Sequence, residues 1–159
     1  MHRIVMMCLR KFYVVPWAYI KLCHYAKHTD KYPELTKYKH IQFIFQRAVK
    51  SGNIELQVYG QENIPTENGF TIYSNHQGMF DTLIFLSTCD NPFTLVIKKE
   101  ASNIILLKQV IAALKAHPID RDDLRQSMQV IKASANDIKG FIEQQTISFE
   151  QIVITLKQI

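Results

Sequence analysis

Apolar and polar positions along this chain switch between two periods, and the switches outline alternating strands and helices. Phe70-Thr71-Ile72-Tyr73-Ser74 is a run of aromatic and β-branched residues with strand character, and residues 79–86 read as the start of an apolar helix. Further strands are expected at Ile54–Tyr59 and 93–97, a helix at 102–116, and a short extended piece before Arg121. Leu124, Met128, Ile131, Ala135 and Ile138 recur at spacings of 4, 3, 4 and 3, which is one apolar stripe of a helix that Gly140 stops. Upstream, Tyr32-Pro33 opens a helix with Leu35, Tyr38, Gln42, Phe45 and Val49 on one side, ending near Ser51-Gly52. After Gly140 the period is ambiguous: Phe149, Ile152, Val153, Leu156 and Ile159 fit a helical stripe, while Ile152, Ile154 and Leu156 fit a strand face. The expected fold class is α/β, a mixed sheet flanked by helices, behind an N-terminal basic helical segment.

Charge sharpens that last element. Residues 1–50 hold ten Lys/Arg against Asp30 and Glu34, a net of +8, and the other 109 residues carry nine against twelve, a net of −3. The same segment gathers Val14, Val15, Trp17, Tyr19, Ile20, Leu22 and Tyr25. Arg10, Lys11 and Lys21 interrupt the run, so it does not reach the roughly 20 uncharged apolar residues of a spanning helix. Nor does a small-residue cleavage site follow, as a secretory signal would require. An amphipathic segment lying on an anionic membrane surface fits better, with Pro16 kinking or dividing it. Nucleic acid is not the expected partner, because the arm is apolar and carries no recognisable binding motif.

Candidate chemistry centres on Asn75-His76-Gln77-Gly78-Met79-Phe80-Asp81, at the change from strand to helix. On a continuous helix His76 and Asp81 would point about 140° apart, so a bend is needed to bring them together. Gly78 can supply it, and Asp81 suits the positive end of the helix dipole. A histidine oriented by a carboxylate is a base aimed at a hydroxyl. Two more stretches follow: Lys98-Lys99-Glu100 after the 93–97 strand, and Pro118-Ile119-Asp120-Arg121 ahead of the last helix.

In this order and spacing the three stretches resemble the lysophosphatidic acid acyltransferase family of glycerolipid synthesis, over roughly residues 59–139. The resemblance implies a glycerolipid acyltransferase-like sandwich. It implies further that His76 is the base that deprotonates the acceptor hydroxyl and Asp81 its orienter, and that Arg121 binds the acceptor phosphate, with Asn75 and Gly78 contacting substrate beside the histidine. The family's usual glycine at the start of the second block falls here at Lys115. Its later Phe-Pro-Glu-Gly-Thr-Arg and Val-Pro blocks have no counterpart after Gly140. The implied division is 1–52 membrane-docking segment, 53–139 partial acyltransferase domain and 140–159 divergent tail, a chain truncated after the second block.

The expected reaction moves a fatty acyl group from a thioester, acyl-coenzyme A or acyl-acyl carrier protein, to the free hydroxyl of a lysophospholipid. A noncatalytic remnant that only associates with membrane is the alternative. Chemistry agrees: a base and oxyanion donors suffice for thioester transfer without an enzyme nucleophile, and a guanidinium suits a phosphate. No cofactor and no metal are expected. Cys8, Cys23 and Cys89 form no Cys-x-x-Cys, and His24 with His28 has no third ligand in reach. The expected location is the cytoplasmic face of the cell membrane, peripheral or monotopic.

Overall fold

The computed structural model describes residues 14–64, 70–73, 79–139, 145–148 and 153–158. In chain order the described elements are α1 (Val14–Lys27), α2 (Glu34–Ser51), β1 (Ile54–Tyr59), β2 (Phe70–Tyr73), α3 (Met79–Thr88), β3 (Val96–Lys98), α4 (Ile105–Ala113), β4 (His117–Ile119), α5 (Leu124–Lys139), β5 (Gln145–Ser148) and β6 (Val153–Gln158). The fold is a helix-rich mixed α/β arrangement. Its strands pair in twos: β1 with β6 antiparallel, β2 with β5 parallel, β3 with β4 parallel. The open choice after residue 140 is thus resolved toward strands at 145–148 and 153–158.

Several boundaries move from the sequence reading. The 93–97 strand contracts to Val96–Lys98, and the expected helix at 102–116 is preceded by a 3-10 turn, Lys99–Asn103, so that the α-helix starts at Ile105. Whether Pro16 divides the N-terminal segment turns on residues ahead of Val14, which lie outside the described residues. It is the third residue of the described span, and from there the helix continues unbroken to Lys27.

The core joins four helices. Leu22 of α1, Tyr38, Ile41 and Phe45 of α2, Leu86 of α3, and Val110 and Ala113 of α4 form one buried cluster, with Phe93 packed against it. Of the expected α2 face, Tyr38, Gln42, Phe45 and Val49 are buried, whereas Leu35 in the first turn is exposed. Gln42 is a polar residue on that inward face, and its partner explains it. Helix α3 ends with carbonyls that have no partner within the helix. Tyr38 Oη and Gln42 Nε2 both donate to the Cys89 carbonyl, at 2.9 and 2.7 Å. Gln46 Nε2 donates to Ser87 O at 3.0 Å, and Gln61 Nε2 to Thr88 O at 3.0 Å. Positions 38, 42 and 46 are one α2 row, four residues apart, so a single helix face supplies three donors to the end of α3.

Helix α5 docks differently. Val130 is buried, and Gln126 Nε2 donates to Pro118 O at 2.9 Å. The first three residues of the apolar stripe read from the sequence do not face the core: Leu124, Met128 and Ile131 are 82, 54 and 57% exposed, while Ala135 is half-buried. Leu86→Ala, which opens a cavity in the core, is expected to lower unfolding free energy by about 2–5 kcal/mol in urea titrations, whereas Leu124→Ala stays within about 0.5 kcal/mol.

His40 gives a pH prediction. Its Nε2–H donates to Ala18 O at 3.0 Å inside the α1–α2 contact, and burial holds the imidazole below its ordinary value near 6.5. The unfolded chain therefore takes up that proton before the folded one does, and the folded state loses stability as pH falls below about 6.5. The urea midpoint is expected to drop between about pH 7.5 and about pH 5.5, and to drop less in His40→Phe.

Candidate active site

Strand β2 ends at Tyr73 and α3 starts at Met79, so residues 74–78 connect the carboxyl end of a strand to the amino end of a helix. That is the expected place for a site in an open α/β sheet. Asn75, His76 and Gly78 lie outside the described residues. Asp81 is described: it is the third residue of α3, half-buried and in the first turn, where the aligned peptide dipoles favour a carboxylate.

The second part of the site is built by β3 and β4. Their parallel register sets Val96 opposite His117 and Lys98 opposite Ile119. The residues that follow both strands consequently emerge side by side: Lys99 Nζ donates to Asp120 Oδ2 at 3.0 Å, and Lys98 Nζ reaches Glu100 at 3.1 Å. The Lys99 ammonium, followed by the Asp122 N–H, holds the Asp120 carboxyl below the usual carboxylate range. Asp120 is fixed further by its own backbone, whose N–H donates to Gln126 Oε1 at 2.9 Å while its carbonyl accepts from Ser127 Oγ at 2.7 Å. Arg121 follows directly and is exposed. Its loop is thus braced on both sides while the guanidinium faces solvent. Arg125, one turn into α5, is exposed as well.

Lys115 stands where the resembled family has glycine. Its φ is 52°, in the left-handed region that a residue lacking Cβ enters freely and that costs another residue roughly 1 kcal/mol. The backbone at this position lies where glycine is favoured, with a lysine side chain in its place. Ala116 N–H donates to Ile111 O at 2.9 Å and Lys115 N–H to Ala112 O at 3.3 Å, the paired bonds of a helix end closed by a left-handed residue. Thr94 Oγ1 donates to the Lys115 carbonyl at 3.3 Å, and Lys115 Nζ contacts Asp30 at 2.7 Å. The turn that launches β4 toward Arg121 is thereby held from three directions.

His117 belongs to β4, and its Nε2 lies 2.7 Å from Asp137 Oδ2 on α5. Cys89 is buried, with burial pushing its thiol up, so it does not offer a thiolate nucleophile. Among the described residues no group of three His, Cys, Asp or Glu is arranged to hold a metal ion. The sequence reading missed the Lys99–Asp120 pair; its only trace there was the presence of both residues just beyond two strand patterns.

The sequence model of the acyltransferase family matches residues 55–145. No curated protein and no solved structure is matched. That span runs from β1 to the first residue of β5, covers more than half of the chain, and includes the 74–78 connection, Asp81, the Lys99–Asp120 pair and Arg121: the chain belongs to the acyltransferase family.

Proposed function

We propose that this chain is a lysophosphatidic acid acyltransferase of phospholipid biosynthesis, carrying a fatty acyl group from a thioester to the free hydroxyl of lysophosphatidic acid. Family membership supports acyl transfer in general. The observation that carries the finer reading is the strand–connection–helix unit with Asp81 in the first turn of α3, five residues after His76, beside a second unit that ends in an exposed arginine.

In this mechanism His76 takes the proton of the acceptor hydroxyl, and Asp81 fixes the imidazole tautomer and stabilises the imidazolium. The hydroxyl oxygen bonds to the thioester carbonyl carbon. The tetrahedral intermediate then collapses with cleavage of the C–S bond, and His76 returns its proton to the departing thiolate. Atoms and charges balance without a covalent enzyme intermediate. Asn75 and Gly78 line the substrate beside His76. Arg121 binds the acceptor phosphate through its planar fork, and the Lys99–Asp120 bond keeps the loop that carries it in place. The donor is acyl-coenzyme A or acyl-acyl carrier protein. In the same reading the three strand pairs belong to one mixed sheet in a glycerolipid acyltransferase-like sandwich.

The acceptor is a membrane lipid, and the chain works as a peripheral or monotopic protein at the cytoplasmic face. Among the described residues no helix is long and apolar enough to cross a membrane. Support comes from α1, where Trp17 and Ile20 are exposed and Lys21 Nζ lies 5.2 Å from the centre of the Trp17 ring, an aromatic and cationic combination suited to headgroup depth.

The test is acyl transfer from a thioester to lysophosphatidic acid by the 159-residue chain in lipid. His76→Ala is expected to lower turnover by about 10²- to 10⁴-fold with vesicle binding intact. Arg121→Ala is expected to raise KM for the phosphorylated acceptor by roughly tenfold with a smaller change in kcat, because a charge-assisted phosphate contact is lost. A folded wild-type chain that binds vesicles without turnover would instead establish a noncatalytic remnant.

A further inference from the structure

Helix α5 has a clear amphipathic pattern, yet Leu124, Met128 and Ile131 of its apolar stripe are left uncovered by the fold. The helix is docked by another face: Gln126 and Ser127 bond to the backbone of Pro118 and Asp120, Val130 is buried, and Asp137 meets His117. Leu124, Met128 and Ile131 lie within about 60° of one another and roughly 120° around the helix from that docked face. They are exposed without exception.

The charges beside the stripe say what suits it. Arg125 and Lys132 are seven residues apart, are both exposed, and form a basic row about 80–100° from the apolar stripe on the side away from the docked face. Three of the four carboxylates of α5 and its entry are committed to other bonds, and the fourth, Asp122, is exposed in the turn ahead of the helix. Asp123 accepts the Gln126 N–H at 3.0 Å at the start of the helix, Asp120 is bonded to Lys99, and Asp137 to His117. An apolar stripe bordered by a cationic row, with no carboxylate on either row of the helix, is the pattern of a helix lying in the plane of an anionic interface. A second copy of the chain suits it less well. A two-fold contact along the stripe would line up Arg125 and Lys132 of both copies on one seam.

We propose that the exposed face of α5 rests on an anionic lipid bilayer, with Leu124, Met128 and Ile131 in the acyl boundary and Arg125 and Lys132 against lipid phosphates. This surface shares no residue with the α1 patch and is the direct continuation of the Arg121 loop. It orients that loop toward the membrane, so that an acceptor lipid reaches Arg121 from the bilayer. The inference rests on the reading that the chain works at a membrane, and a probe on α5 itself separates the two.

The probe is a single tryptophan at position 128, in the full chain carrying Trp17→Phe and Met128→Trp, with circular dichroism confirming the fold. Anionic vesicles of phosphatidylglycerol and phosphatidylcholine are expected to shift its emission to the blue, and brominated acyl chains to quench it; phosphatidylcholine alone has little effect. Arg125→Glu with Lys132→Glu in the same background is expected to weaken the apparent affinity at least about tenfold. Vesicle binding with the tryptophan still in water would overturn the proposal while leaving α1 as the docking element. Emission already blue-shifted before lipid is added, together with a dimer mass by light scattering, would overturn it in favour of a second copy. An equal shift with zwitterionic and anionic vesicles would overturn the role given to the cations.

Discussion

Everything around the candidate site depends on how α3 ends. The carbonyls of Ser87, Thr88 and Cys89 lie past the helix's own donors, and Cys89 itself is buried. Left unpaired, such a group costs about 1–3 kcal/mol where it is buried, as at Cys89, and much less where it is exposed, as at Thr88. Tyr38, Gln42, Gln46 and Gln61 remove that cost, three of them from one row of α2. The same α2 face presents Ile41 and Phe45 to the cluster that contains Leu86. Apolar burial thus sets how closely the helices approach, and the hydrogen bonds fix rotation and register. Asp81 stands at the other end of this clamped helix. The family match begins at residue 55, yet the helix that anchors the Asp81 element lies before it.

The arginine loop is held by a different device. Parallel strands emit their following residues on one side, so pairing Lys98 with Ile119 is enough to place Lys99 against Asp120. A solvent-exposed ion pair of this kind contributes little to stability. Its consequence is positional. With the Asp120 side chain on Lys99 and its backbone on Gln126 and Ser127, the next residue has few conformations left, and Arg121 leaves the loop in a restricted direction.

What was legible in the sequence follows the range of the interaction involved. Strand β2, helix α3, the end of α2 at Ser51 and the extent of α5 rest on local period and on capping residues, and they were readable to within a residue or two. The Asp81 position came from the same local signal. The α3 clamp did not, because Gln42 and Gln46 are 47 and 41 residues from the carbonyls they bond; a glutamine on an apolar face signals only that some buried acceptor exists. The Lys99–Asp120 pair depends on strand register, which a single sequence does not fix. Lys115 shows the opposite case. Its side chain departs from the resembled family while its backbone, at φ 52°, lies in the left-handed region that favours glycine. The strands after residue 140 required a partner to be identified, since their apolar residues fit either period.

Hydrophobic periodicity reports a face that avoids water, not which phase covers it. On α2 that face is covered by protein, and its polar members are there because buried carbonyls need donors. On α5 the stripe has no polar member of that kind. Its members Leu124, Met128 and Ile131 face outward, and the charges along the helix beside them, Arg125 and Lys132, are cations. The distinction lies in the polar residues and not in the apolar ones. Inside a core they are neutral donors matched to specific acceptors; beside a lipid-suited face they are charges with no protein acceptor to meet. By that criterion α2 is an internal scaffold and α5 an outward one, although their apolar spacings are nearly the same.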